Sequence, residues 1–132
     1  METALLAPIT AIYAAVLTFV YIVLTFGVIG KRRSLKVGIG HGKETEMEQA
    51  IRVHGNFSEY IPLALVLFFL AEVNHASSVL LYVIGACLTV ARILHAIGLN
   101  SSVGVTWQRF SGASTTFVVL LVLAVTNLVL AF

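Results

Sequence analysis

Two long segments without a charged residue, 5–29 and 110–132, constrain the fold of this chain more than any other feature. A membrane-spanning α-helix needs about 20 mostly apolar residues, and each segment is longer than that. No Lys or Arg precedes residue 5, so the first segment lacks the basic start of a signal peptide and is interpreted as a retained span. Charged residues make up 11% of the chain, against about 25% in a soluble domain. We therefore expect an integral membrane protein.

Two more helices are predicted between these segments. Thr45 and Glu48 have the spacing of a capping box, which favours a helix start at that point. The sequence predicts helices over about residues 4–30, 46–74, 77–99 and 107–131, in a single domain covering 1–132. The expected fold is all-α, an integral membrane four-helix bundle.

The basic residues lie on one side of this bundle. They are Lys31, Arg32, Arg33, Lys36, Lys43, Arg52, Arg92 and Arg109. The positive-inside rule predicts a multi-pass protein with both termini outside and the basic side in the cytoplasm. The net charge of +2 is too small to indicate nucleic acid. The four histidines show no metal-ligand spacing, so no metal is expected.

Three polar residues of the second helix are expected to share one face. Arg52, Asn56 and Glu59 are spaced i, i+4, i+7, which places them within about 60° of one another. Tyr60 follows directly. Glu59 would lie ~10 Å deeper than Arg52 along the helix axis. A carboxylate at that depth should face protein or a polar cavity.

Further polar residues are predicted at the same membrane level. Arg92 and His95 lie near the end of the third helix, and Arg109 lies at the start of the fourth. Guanidinium groups bind carboxylates through a two-pronged fork, and Glu59 could accept from an ammonium. Such a set suits a small zwitterion with more than one carboxylate. The alternative is that these groups pair between helices or reach lipid phosphates, as is expected of Lys31, Lys36 and Lys43.

The run Arg52-x-x-x-Asn56-x-x-Glu59-Tyr60-x-Pro62 resembles the second-helix signature of the MAPEG family, membrane-associated proteins in eicosanoid and glutathione metabolism. The segment 31–37 is similar to the basic end of that family's first helix, and 91–95 to the end of its third. The resemblance covers nearly the whole chain.

The resemblance implies a homotrimer that binds glutathione as co-substrate between subunits near the cytoplasmic face. The implied glutathione-binding residues are Arg32, Arg33, Arg52, Asn56, Glu59, Tyr60, Arg92 and His95. The implied catalytic residue is Arg109, which would stabilise the glutathione thiolate. The site would face the cytoplasm, and an apolar small-molecule or lipid substrate would arrive from the membrane lipids.

The resemblance implies a membrane-bound glutathione transferase, with glutathione peroxidase activity as a possible addition. Eicosanoid-forming members place tyrosines where this chain has His95 and Leu99, so a member acting on apolar electrophiles fits better. One alternative is a non-enzymatic lipid-binding accessory protein of the same fold. A small transporter is a third possibility, although the chain shows no inverted repeat.

Overall fold

Four long helices make up almost all of the chain. The computed structural model describes residues 5–132, and its helices are α1 (Pro8–Leu35), α2 (Thr45–Val73), α3 (Ser78–Ser101) and α4 (Trp107–Ala131). All four are long and apolar enough to cross a membrane. The predicted all-α class is confirmed.

The first helix differs from the prediction of residues 4–30. Its predicted start at residue 4 lies outside the described residues, and the helix begins at Pro8, which occupies the first turn, where a missing N–H costs nothing. It continues past Gly30 to Leu35 because Lys31, Arg32 and Arg33 are good helix formers. Arg32 and Arg33, which lie in its last turn, also suit the negative end of the helix dipole.

The predicted capping box at Thr45 is wrong. Glu44 is the residue that precedes α2, and no side chain caps that end. The carbonyl of Glu44 already accepts hydrogen bonds from the N–H groups of Met47 and Glu48, each at 3.1 Å. The helix therefore begins one residue earlier than the T-x-x-E spacing requires, and Thr45 is its first residue.

The middle helices organise the bundle. Helix α2 packs against each of the other three, whereas α1 and α4 make no contact within the described residues. The core between the helices includes Phe57, Phe68, Leu88 and Leu123. The outward faces remain apolar, with Phe19 and Phe117 among the exposed residues. An outward apolar surface of this kind is expected where lipid is the solvent.

The carboxylate of Glu72, from α2, caps the N-terminal end of α1. Glu72 accepts hydrogen bonds from the N–H groups of Ile9 (2.8 Å) and Thr10 (2.6 Å) and from the Thr10 hydroxyl (2.6 Å). These N–H groups have no partner within their own helix. The negative charge also lies at the positive end of the helix dipole. Glu72 therefore fixes α1 against α2 at the end opposite the basic residues.

Candidate functional site

All eight Lys and Arg side chains lie toward one end of the bundle, where α1 and α3 end and α2 and α4 begin. We call this the basic end. The short connections put the ends of α3 and α4 next to each other there, across the five residues 102–106. The predicted site residues therefore all lie toward the basic end of the bundle.

The polar face of α2 divides between two environments. Asn56 points toward α3 and accepts a hydrogen bond at 2.6 Å from Nη2 of Arg92. Glu59 instead pairs with Arg52, whose Nη1 lies 3.2 Å from Oε1 of Glu59. The side chains of this ion pair are 54% and 52% exposed in the single chain. The i, i+4, i+7 set is therefore one continuous face, but only part of it points into the subunit.

Arg92 is the most unusual residue of the site. It is 1% exposed, and its guanidinium carbon lies 5.8 Å from the ring centre of Phe57 and 5.6 Å from that of Tyr60. No carboxylate of the described residues lies within ion-pairing distance of it, and its Nε has no hydrogen-bond partner there. A buried cation without a counter-charge is costly. The surroundings of Arg92 are therefore suited to an anion.

Two glycines bring α4 close enough to α3 to complete this region. A Cβ on Gly112 would lie 2.5 Å from the carbonyl oxygen of Ala91 and 2.8 Å from the Cβ of His95. A Cβ on Gly98 would lie 2.5 Å from the backbone nitrogen of Arg109. Since these obstacles are mostly backbone atoms, no larger residue fits without separating the helices. The glycines thus determine how near Arg109 comes to His95.

Arg109 lies in the first turn of α4. Its N–H donates to the Thr106 hydroxyl at 3.2 Å, which caps the helix, and its Nη1 donates to the carbonyl of Val103 at 3.4 Å. The first turn contains no acidic residue. A cation at the positive end of a helix dipole is unfavourable by itself. The guanidinium of Arg109 and the positive end of the α4 dipole would both favour an anion placed beside them.

Two neighbouring cavities meet at these residues. The polar cavity, of about 200 Å³, is lined by polar groups that include Gln49, Arg52, Asn56, His95 and Arg109. The aromatic cavity, of about 280 Å³, is lined by Tyr60, Arg92, Phe110 and Phe117. Asn56, His95 and Arg109 line both. The polar and aromatic cavities therefore adjoin across a shared wall.

Not every predicted residue reaches these cavities within one subunit. Arg32 donates from Nη1 to the carbonyls of Val37 (3.3 Å) and Gly40 (3.0 Å), and with Arg33 it lines a separate depression at the end of α1. Glu59 lines neither cavity. The other predicted residues, Arg52, Asn56, Tyr60, Arg92, His95 and Arg109, each line at least one of the two.

Some features of the site were not identified from the sequence. Phe110 and Phe117 form one wall of the aromatic cavity, and the Phe117 ring lies 5.6 Å from that of Tyr60. Their i, i+7 spacing gives them one helix face, but so do many lipid-facing pairs. Gly98 and Gly112 carried a clearer signal, since small residues in membrane helices often mark close helix packing.

Within residues 5–132, no group of three His, Cys, Asp or Glu side chains is arranged to hold a metal ion.

The sequence model of the MAPEG family matches residues 10–129. The chain belongs to the MAPEG family. Among MAPEG relatives, it is 34% identical over 120 residues to the inner membrane protein YecN of Escherichia coli K12, a match that covers 91% of this chain and 90% of YecN. YecN of E. coli O6:H1 matches equally well. The family, the relatives and the four apolar helices together show a multi-pass membrane protein.

Proposed function

We propose that this MAPEG protein is a membrane-bound glutathione transferase that acts on apolar electrophiles, with peroxidase activity toward apolar hydroperoxides as a second reaction of the same site. Glutathione is the co-substrate, held at the polar cavity. The family includes glutathione transferases, and the name of YecN indicates a location and no activity. The proposal therefore rests on the side chains of this chain.

The observation that carries the proposal is Arg92. Its guanidinium is buried, held by one amide oxygen at 2.6 Å, and has no carboxylate partner in the described residues. Arg52 and Arg109 line the cavity beside it. Glutathione has two carboxylates and a thiol, so it offers the negative groups that this set lacks. A neutral lipid would leave the buried charge of Arg92 without a counter-ion.

The roles follow from the positions of the groups. Glutathione extends from the polar cavity past Asn56 to Arg92, so that Arg52 binds one carboxylate and Arg92 the other. Glu59 lines neither cavity within one subunit, and it would accept from the ammonium group where a neighbouring subunit covers the Arg52–Glu59 pair. Asn56 holds the guanidinium of Arg92 in place, and Tyr60 and His95 complete the wall. Arg109 and the positive end of α4 stabilise the thiolate, which is the nucleophilic form. Arg32 and Arg33 would contribute from the α1 of a neighbouring subunit, because within one subunit they lie in a separate depression.

The two reactants meet where the polar and aromatic cavities adjoin. An apolar electrophile reaches the aromatic cavity from the bilayer, and the thiolate attacks its electrophilic carbon. A carbon–sulfur bond forms, and the leaving group departs with its electron pair. With a hydroperoxide, the thiolate attacks the terminal oxygen and the O–O bond breaks, which leaves a sulfenic acid and expels an alkoxide that takes a proton from water to become the alcohol. A second glutathione then reduces that product to disulfide and water.

We also propose that the active form is a homotrimer. The Arg52–Glu59 pair is half exposed on a membrane helix, where lipid is a poor environment for charge. A neighbouring subunit would cover this face, and the family supplies the number three. Native mass measurement in detergent should show three chains. An active, stable monomer would contradict this.

The basic end would face the cytoplasm with both termini on the opposite side, since positive charge is retained on that face. Cytoplasmic glutathione would then have direct access to the polar cavity. Reporter fusions to the C-terminus that are active only in the cytoplasm would contradict this orientation.

The direct test is conjugation by purified protein. Glutathione and an aryl halide activated by nitro groups should give the thioether faster than the uncatalysed reaction, and Arg92→Gln should reduce the rate. If neither conjugation nor hydroperoxide reduction exceeds the rate without protein, the proposal is wrong. Tight binding of fatty acid without binding of glutathione would instead favour the lipid-binding accessory protein.

A further inference from the structure

A third cavity lies where α1, α2 and α3 meet, apart from the polar and aromatic cavities. It has a volume of about 300 Å³, and its walls are mostly apolar, with Leu24 and Gly27 from α1, Val53 from α2 and Ile97 from α3. Lys31 and Asn100 also line it. We call it the lateral cleft. It shares no lining residue with the polar or aromatic cavity.

The cleft exists because α1 and α3 separate toward the basic end. Near the other end they touch: Tyr13 packs so closely on Gly85 that a Cβ there would overlap its ring, and the Tyr13 hydroxyl donates to the carbonyl of Tyr82 at 2.8 Å. At Gly27, by contrast, a Cβ would meet no atom within 4 Å. Since α4 makes no contact with α1 in the described residues, no further helix of the chain fills the gap.

One basic residue, Lys31, lines the end of the lateral cleft that lies nearest the basic end. Lys31 pairs with Glu46 at 2.5 Å, but the two side chains are 43% and 66% exposed. An ion pair this exposed holds its lysine weakly, so the ammonium can also bind a second anion. Arg33 and Lys36 are also exposed, but they line a separate depression of about 370 Å³ with Val37 and Gly38, which shares no lining residue with the lateral cleft.

We propose that the lateral cleft binds one anionic phospholipid, with an acyl chain against Gly27 and the phosphate at Lys31. The combination of an apolar groove and an exposed lysine at its mouth is complementary to that molecule at both ends. Basic pockets between membrane helices are a known type of site for anionic head groups. The lateral cleft is separate from the polar and aromatic cavities, and the inference does not depend on the proposed function.

The test is lipid counting by native mass spectrometry after reconstitution with phosphatidylglycerol or phosphatidylcholine. The wild-type chain should retain phosphatidylglycerol in preference. Gly27→Leu should abolish the preferential retention of phosphatidylglycerol, because the leucine fills the cleft. Gly30→Leu is the matched control: Gly30 also has open space around it but lies outside the cleft, so retention should not change. Lys31→Gln should weaken retention about fivefold, the effect of one lysine near an anionic surface. Lys43→Gln is its charge-matched control.

Several results would overturn the proposal. Equal retention of the two lipids by the wild type would show that the anionic head group is not recognised. Full retention by Gly27→Leu would show that the lipid does not lie in the lateral cleft. Competition by glycerol phosphate without chains would show a phosphate site and not a lipid site. If Gly27→Leu changes the number of chains in the assembly and not the lipid count, a second copy of the chain occupies the cleft. If Gly27→Leu does not fold, equal retention by Lys31→Gln and Lys43→Gln is sufficient to reject the proposal.

Discussion

Replacing Asn56 with Asp should weaken glutathione binding without lowering the stability of the fold. The change keeps the size of the side chain and keeps an oxygen at the position that accepts from Nη2 of Arg92 at 2.6 Å. It adds the carboxylate that Arg92 lacks in the described residues. The buried guanidinium then has an internal counter-ion and no longer needs one from a ligand.

The expected magnitudes follow from this geometry. A hydrogen bond to a charged group contributes about 1.5–3 kcal/mol, so losing the ligand's share should weaken glutathione binding about 10- to 150-fold. The unfolding free energy should change by less than about 1 kcal/mol or increase, because a new ion pair offsets its own desolvation. That limit corresponds to about 4 °C in Tm.

Calorimetric titration with glutathione and thermal unfolding in detergent measure the two effects. Asn100→Asp is the control, since it makes the same charge change at the basic end but lines neither the polar nor the aromatic cavity. If Asn56→Asp binds glutathione as tightly as the wild type, Arg92 does not contact the ligand. If it also unfolds several degrees lower, the account of Arg92 as an unbalanced cation is wrong.

Glu59→Gln should weaken glutathione binding by about 1.5–3 kcal/mol in calorimetry while leaving Tm nearly unchanged, because it loses the ammonium contact and only an exposed ion pair; unchanged affinity would leave Glu59 with a structural role. Arg109→Ala should raise the pKa of bound glutathione and cut turnover about 10²-fold, so that its rate profile shifts to higher pH; overlapping profiles would assign thiolate stabilisation to another arginine. Gly98→Ala should lower the unfolding free energy by about 1–3 kcal/mol, since the added Cβ meets backbone atoms of Arg109; an unchanged Tm would show that α3 and α4 separate freely.

The sequence predicted the helices better than their ends. Hydrophobic runs of membrane length leave few alternatives, so four helices followed from composition and spacing. The start of α2 was missed by one residue because the turn before it, with Lys43 at a φ of 64°, already positions the carbonyl of Glu44 for the first helical bond. The role of Glu72 as a cap for α1 could not be predicted from the sequence, because it depends on a contact between residues 62 positions apart.

The candidate site was predictable as a list of polar residues but not as a geometry. Helical spacing placed Arg52, Asn56 and Glu59 on one face, and the structure shows such a face. It could not show that Asn56 binds Arg92 while Glu59 binds Arg52, since that choice depends on how α3 packs against α2. The approach of α4, which brings Arg109 to the same cavity, depends on contacts of Gly98 and Gly112 with backbone atoms.

The arginines of the basic end are proposed to hold glutathione as a thiolate. Ultraviolet difference absorbance measures this directly, because the thiolate absorbs where the thiol does not. Glutathione added to the purified protein at neutral pH should give a saturable thiolate band. S-methylglutathione, which has no free thiol, should displace glutathione and abolish the band. A free thiol is only a few per cent ionised under these conditions. Saturable binding without a thiolate band would contradict thiolate stabilisation, and the absence of binding would contradict the assignment of the site to glutathione.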